Sequence, residues 1–426
     1  MLNEHDFNRH PCFNVKAKGQ YGRVHLPVAP KCNIQCNYCN RRYDCVNESR
    51  PGVTSTLLTP SQALVYMDRV LEKEPRISVA GIAGPGDPFA NADVTLETMR
   101  LIRKHHPDTI LCLSSNGMNV APHVPELAEI GVSHVTITIN AVDPEISAQI
   151  YAWVRDGKVL YRGRQGAELL LARQLQAIDL LKMHGITVKV NTIIIPGVND
   201  HHVPELAAAL QAKGVDLLNC MAMFPNVDTA FEHIGEPDKE QMERIRTEAE
   251  QFLPQMRHCT RCRADAVGLL DQDRTEEMRG CLSACAQIPA PQAEAERPYV
   301  AVATLEGVLV NQHLGEATRF QIWGQDDAGG YRCLEERNAP PSGGGGQRWL
   351  NISRILADCR AILVNDLGES PKEILQNRGI QVVTMAGFIE RGLEAVYTGQ
   401  GFTSLQGRTR KCSSKGACVG GGNGCG

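Results

Sequence analysis

Between residues 21 and 224, short apolar, β-branched runs alternate with amphipathic stretches, and this alternation restricts the fold more than any other feature. Strands are expected at 24–28, 77–83, 109–114, 134–140, 188–195 and 217–224. The first helix is expected to start at Thr59-Pro60, a capping residue followed by proline at the first helical position. Ala63, Leu64, Met67, Val70 and Leu71 then recur at helical spacing. Further helices are expected over roughly 96–104, 125–130, 167–183 and 204–213, each followed by a turn signal: His106-Pro107, Gly131, Gly185 and Gly214. Strands alternating with helices in this way make parallel βα units. The expected class is therefore α/β, a partial (β/α) barrel with its chemistry at the C-terminal strand ends.

The first domain is expected to span 1–287. Residues 288–298 (IPAPQAEAERP) read as a linker, being rich in Pro, Ala and Glu. A smaller α/β domain is expected over 299–400, with strands at 299–304, 308–312, 361–364 and 381–384. A glycine-rich loop lies at 342–346, and helices are expected at 353–359 and 371–378. Residues 401–426 end in Gly, Ser and Cys and cannot build a core. The formal charge of −4 and the lack of a basic run argue against nucleic acid or an acidic membrane as the partner. No signal-peptide pattern and no bilayer-length apolar run is present, so a cytoplasmic protein is expected. In that reducing compartment sixteen cysteines call for metal or redox chemistry rather than disulfides. No GxSxG, P-loop or HExxH pattern offers a different chemistry.

Cys32, Cys36 and Cys39 form a CxxxCxxC triplet on the loop after the first expected strand. Three thiolates ligate three irons of a four-iron cluster and leave one iron open. Spacing alone also admits a zinc site with Cys45 as fourth ligand, or buried thiols. With Tyr38 before the last cysteine, the triplet resembles the radical S-adenosylmethionine (SAM) superfamily. The glycine turn 81–88 (GIAGPGDP) resembles that superfamily's SAM-facing turn, with Asp87 where a Glu is common. The resemblance implies a SAM-cleaving [4Fe–4S] cluster on Cys32, Cys36 and Cys39, the catalytic residues. It also implies SAM contacts from Tyr38, Gly86, Thr138 and Val190. Arg41 and Arg42 are candidate partners of the SAM carboxylate or, equally, a solvated pair.

The remaining cysteines narrow the reading. His10-Pro11-Cys12 precedes the first strand, Cys112 lies near the end of the third, and Cys259-Thr-Arg-Cys262 is a CxxC. Imidazole and thiolate are both good iron ligands. The segments 10–13, 28–53, 81–88, 114–117, 134–146, 188–200 and 257–268 resemble the NifB family of nitrogenase cofactor maturases, and 310–316 (VNQHLGE) resembles a NifX-type module that binds cofactor precursors. The resemblance implies a radical SAM maturase of lyase or transferase type. It would fuse two [4Fe–4S] substrate clusters with a SAM-derived carbide and a sulfur into the eight-iron precursor of the iron–molybdenum cofactor. Cys259 and Cys262 would hold one substrate cluster and His10, Cys12 and Cys112 the other, with His5 and Cys45 also available. Partners implied are SAM, a reductant, cluster donors and acceptor proteins of nitrogenase assembly. Glu48 and Arg50 could move protons near the cluster loop. The roles of His313 and of Cys412, Cys418 and Cys425 stay open. Two other readings remain: a cluster carrier without radical chemistry, and a radical SAM enzyme that modifies peptides using auxiliary clusters.

Overall fold

The computed structural model describes residues 4–47, 52–54, 56–260, 262–288, 297–326, 329–343, 345–399 and 405, with only the backbone for 4, 5 and 7. Glu48, Arg50, the side chain of His5, most of the expected linker, and Cys412, Cys418 and Cys425 of the tail lie outside the described residues. The chain divides into two units, Met1–Ile288 and Pro289–Gly426, and each is described by itself.

In the first unit a capping box starts the helix Pro60–Lys73. The Thr59 hydroxyl accepts from Gln62 N, and the Gln62 side chain accepts from Thr59 N. The helix buries Ala63, Tyr66, Met67 and Val70. Each large side chain so buried contributes roughly 1.5–3 kcal/mol. The strand Ile77–Ile82 that follows is buried at every position, the pattern of a parallel strand inside an α/β fold. Six parallel strands pair in the order Gly22–His25, Ile77–Ile82, Ile110–Ser115, Val132–Thr138, Thr187–Ile194 and Leu217–Ala222. Val267–Gly268 adds an antiparallel edge beside Gly22–His25. Among the described residues no ladder joins the two edges, so the barrel is open.

The expected strands 24–28 and 134–140 begin two residues late. Gly22 and Arg23 have little strand propensity of their own and are held by pairing with Ile77 and Val79. A hairpin, Tyr151–Asp156 and Val159–Tyr161, was not expected, although its Asp156-Gly157 turn is a hairpin signal. It pairs with Ile34–Cys36, setting Cys36 opposite Tyr151 and Ile34 opposite Val154, and so fixes the cysteine loop in the sheet system.

Two apolar clusters fill this unit. One packs Val24, Val135 and Val190 against helix residues such as Met67, Met99 and Ile178. The other, around Cys36, Tyr38, Met118, Ile193 and Met221, uses strand positions of the opposite parity and lines the inside of the barrel.

The second unit is a five-stranded sheet in the order Tyr331–Asn338, Arg319–Gln325, Tyr299–Val302, Cys359–Val364 and Gln381–Thr384. Its first two strands form a hairpin that the sequence did not reveal, because Tyr331–Asn338 is largely exposed and carries no alternating apolar pattern. The helix expected at 353–359 is displaced: it runs Gly346–Ile355, and Cys359 already opens the next strand. Trp349, Leu350 and Ile352 supply its apolar side, so the glycine stretch is the approach to a helix rather than an interruption. No helix among the described residues is long and apolar enough to cross a membrane.

Candidate functional site

The triplet loop is held by backbone contacts with the glycine turn. Gly86 N donates to Ala29 O and Asp87 N to Lys31 O, both at 2.6 Å. A Cβ at Gly86 would run into the Lys31 carbonyl oxygen, so only glycine allows this approach. Asp87 is buried and ties the turn to the 114–117 loop. Its carboxylate accepts from Phe89 N at 2.9 Å, Ser115 Oγ at 3.0 Å and Asn116 N at 2.6 Å. Asn116 Nδ2 in turn donates to Asn33 Oδ1 at 2.7 Å and lies 3.6 Å from Cys32 Sγ. Asn47 Nδ2 lies 3.7 Å from Cys36 Sγ.

Burial pushes the Cys32 thiol up to about 11 and raises Cys36 and Cys39 as well; Cys39 adds to the rise of Cys32, and Cys39 and Cys32 to that of Cys36. The described cysteines are all free of disulfides. Among the described residues no three His, Cys, Asp or Glu side chains converge at the distance of a single metal ion, Cys45 included. The Asn33 Nδ2 group beside Cys32 has no partner, a donor left over at the loop.

The four expected SAM contacts sit differently. Tyr38 is fully buried, with its hydroxyl donating to Asn47 Oδ1 and accepting from Asn140 Nδ2 at 2.8 Å. Gly86 faces the Lys31 backbone. Thr138 ends an inner strand position, and Gln174 Nε2 donates to its carbonyl at 2.8 Å and to that of Asn116 at 3.0 Å. Val190 lies in the core between sheet and helices, while its neighbours Lys189 and Asn191 face inward. The period-two alternation of a strand makes that division unavoidable.

A cavity opens inside the barrel. It is lined by His10, Cys12, Cys112, Cys259 and Cys262, residues from three separate stretches of chain. Cys45 is absent from its walls. Cys259 and Met221 also pack with the inner apolar cluster around Cys36, so the cavity adjoins the triplet loop. Arg23 and Lys189 line it too, and among the described lining residues there is no carboxylate. Lys189 is 8% exposed; its Nζ lies 3.9 Å from Met256 Sδ and 5.1 Å from the Phe13 ring centre. Arg23 is 1% exposed, and its Nε and Nη2 donate to Cys262 Sγ at 3.2 and 3.1 Å. Burial opposes the Arg23 charge, but Cys262 holds it above its ordinary value. Burial raises the Cys12 thiol to about 12, with Lys189 pulling it down and Cys262 and Cys112 pushing it up. The buried Nε2 of His10 has no partner. Two cations, soft donors and no carboxylate suit an anionic metal–sulfur occupant.

His25, Arg23 and Lys189 were not singled out in the sequence. Position 25 at the end of the first strand is the one available signal, since barrel chemistry gathers at such ends. His25 Nδ1 bonds Arg263 O at 2.8 Å, which leaves Nε2 as the lone-pair nitrogen of a neutral ring lining the cavity.

Burial lowers His25 to about 4 and His134 to about 3. The unfolded imidazoles take protons below about 6.5 while the buried ones stay neutral, so protons favour the unfolded chain in that window. Metal-free protein is therefore expected to lose about 3 kcal/mol of stability between pH 7.5 and 5.5. Urea denaturation at the two pH values measures it; a flat or rising stability would contradict the neutral buried pair.

Residues 26–210 match the Radical SAM superfamily, and residues 296–399 match the family described as Dinitrogenase iron-molybdenum cofactor. The chain is 52% identical to the FeMo cofactor biosynthesis protein NifB of Chlorobaculum tepidum, over 99% of each protein. It is 40% identical to the protein of that name from Klebsiella pneumoniae, over 87% of this chain and 86% of that one. For Azotobacter vinelandii the identity is 38%, over 87% and 84%.

Proposed function

Because the chain belongs to the family of FeMo cofactor biosynthesis proteins NifB, and is a radical SAM enzyme, we propose that it joins two [4Fe–4S] substrate clusters into an eight-iron cluster with a SAM-derived carbide and an added sulfur. When bound, the triplet cluster and SAM supply a methyl group and a deoxyadenosyl radical. Cys32, Cys36 and Cys39 are the residues that hold that cluster, and Arg41 is the nearby cation that offsets their charge.

The carrying observation is the cavity that gathers His10, Cys12, Cys112, Cys259 and Cys262 with two cations and no carboxylate. In this reading Cys259 and Cys262 hold one substrate cluster, and His10, Cys12 and Cys112 the other. The Nε2 of His25 is a further ligand on the cavity wall. Lys189 balances the anionic charge of the substrates, while the Arg23 guanidinium is taken up by Cys262 Sγ and the Gly268 and Leu269 carbonyls. Met221, Met256, Leu113 and Leu270 supply apolar wall that keeps water from a reactive carbon. Few protein ligands per cluster, one of them imidazole, suit a substrate that must depart.

In the second unit His313 Nδ1 accepts from Gly315 N at 3.0 Å, which leaves Nε2 as its ligating nitrogen. We assign it to product retention before transfer to an acceptor protein of nitrogenase assembly.

The test is anaerobic iron counting with SAM product analysis on the full chain and on Cys259→Ala/Cys262→Ala. The reduced, loaded full chain is expected to release deoxyadenosine and S-adenosylhomocysteine together, and the double variant to lose about one cluster's iron. Full iron in the double variant, or neither SAM product from the full chain, would sink the proposal.

A further inference from the structure

The guanidinium of Arg23 is the closest polar neighbour that the described residues give Cys262. It is fully buried, and its contacts leave it no freedom. Nε and Nη2 donate to Cys262 Sγ at 3.2 and 3.1 Å, while Nη1 donates to Gly268 O at 2.5 Å and Leu269 O at 3.2 Å. Asp273 Oδ2 lies 3.7 Å from Nη2. Strand pairing produces this placement. Arg23 sits opposite Gly268 and next to Val24, whose side chain points the other way into the core between sheet and helices. A fork of two N–H groups aimed at one sulfur is the geometry in which arginine recognises an anion.

Hydrogen bonds to a ligating thiolate draw off part of the electron density it gives to iron, and a charged two-pronged donor does so more than the single amide contacts at Cys32 and Cys36. A ligand that must let go has a need for such a donor. A buried thiolate with no partner is strongly disfavoured, and that penalty would hold the iron in place. We propose that Arg23 is a positioning residue for substrate departure, receiving the Cys262 thiolate as its iron leaves. This rests on the reading of Cys262 as a ligand of a substrate cluster. In the step, the iron–sulfur bond to Cys262 breaks and its electron pair stays on Sγ. The two guanidinium N–H groups take up that pair by hydrogen bonding. The vacated iron position is filled by a sulfide of the second substrate cluster. No proton, oxidant or reductant is consumed.

The experiment uses the full chain with Cys32, Cys36 and Cys39 replaced by alanine, so that the iron counted is that of the cavity. The protein is loaded anaerobically with iron and sulfide, and release to bathophenanthroline disulfonate is followed. Arg23→Met is expected to keep its iron and to release it at least about tenfold more slowly, the scale set by a charge-assisted hydrogen bond. Arg23→Lys keeps the charge but not the fork, and is expected to fall between the two. A purely structural role, through the carbonyls of Gly268 and Leu269, predicts the opposite sign: a looser loop and faster loss. Release from Arg23→Met at the parent rate or faster would overturn the proposal. If Arg23→Met does not fold, Arg23→Lys decides, and release at the parent rate overturns it. Cys262→Ala tests the underlying reading separately. Loss of cavity iron supports Cys262 as a ligand, and full retention removes that premise whatever Arg23 does.

Discussion

Cys36→Ala is expected to abolish SAM cleavage, with neither deoxyadenosine nor S-adenosylhomocysteine above background, and to cost the chain the iron of one four-iron cluster. Cys36 closes the strand Ile34–Cys36, is 4% exposed and stands opposite Tyr151. Cys45 lies further along the chain, where its N–H is bonded to Pro85 O at 2.9 Å. Two thiolates would then be left to hold a cluster that needs three. The fold itself should survive, because a thiol-to-methyl change at one buried site costs about 1 kcal/mol. Product analysis and iron counts on the folded variant decide the matter. Deoxyadenosine at the parent rate would remove the triplet from the chemistry.

Lys189→Glu is expected to empty the cavity of iron while the triplet keeps its own. The side chain is buried, lies near Cys12 and Met256, and has no carboxylate partner among the described residues. Its charge is therefore available to an anionic occupant. Reversing it sets a carboxylate beside Cys12, Cys112 and Cys262, which must be thiolates to bind iron. An uncompensated buried charge costs on the order of 3–5 kcal/mol, or about 10²- to 10⁴-fold in retention. Lys189→Met removes the charge without reversing it and is expected to weaken retention less. Iron per chain after gel filtration, with the electron paramagnetic resonance of the SAM-bound triplet as internal control, reads both. Full cavity iron in Lys189→Glu would show that this cation does not hold the substrate.

The division of labour between chain and fold follows from how far each signal reaches. The alternating strands and helices, the CxxxCxxC loop and the CxxC are patterns within a few residues, so they were legible from residue order. That order determined the α/β class and the place of the triplet on the first βα loop. It did not show which side chains share a space. His10, Cys12, Cys112 and Cys262 line one cavity only because strands far apart in the chain pair in one register. The same register sends Val190 to the helix side and Lys189 to the inside, where the charge that suits an anionic cluster sits. Arg23 became meaningful only when pairing with Gly268 brought it against Cys262. Side-chain direction has a period of two along a strand, and cross-strand pairing sets its phase. Sequence spacing therefore names the donors, and tertiary pairing decides which of them face the same occupant.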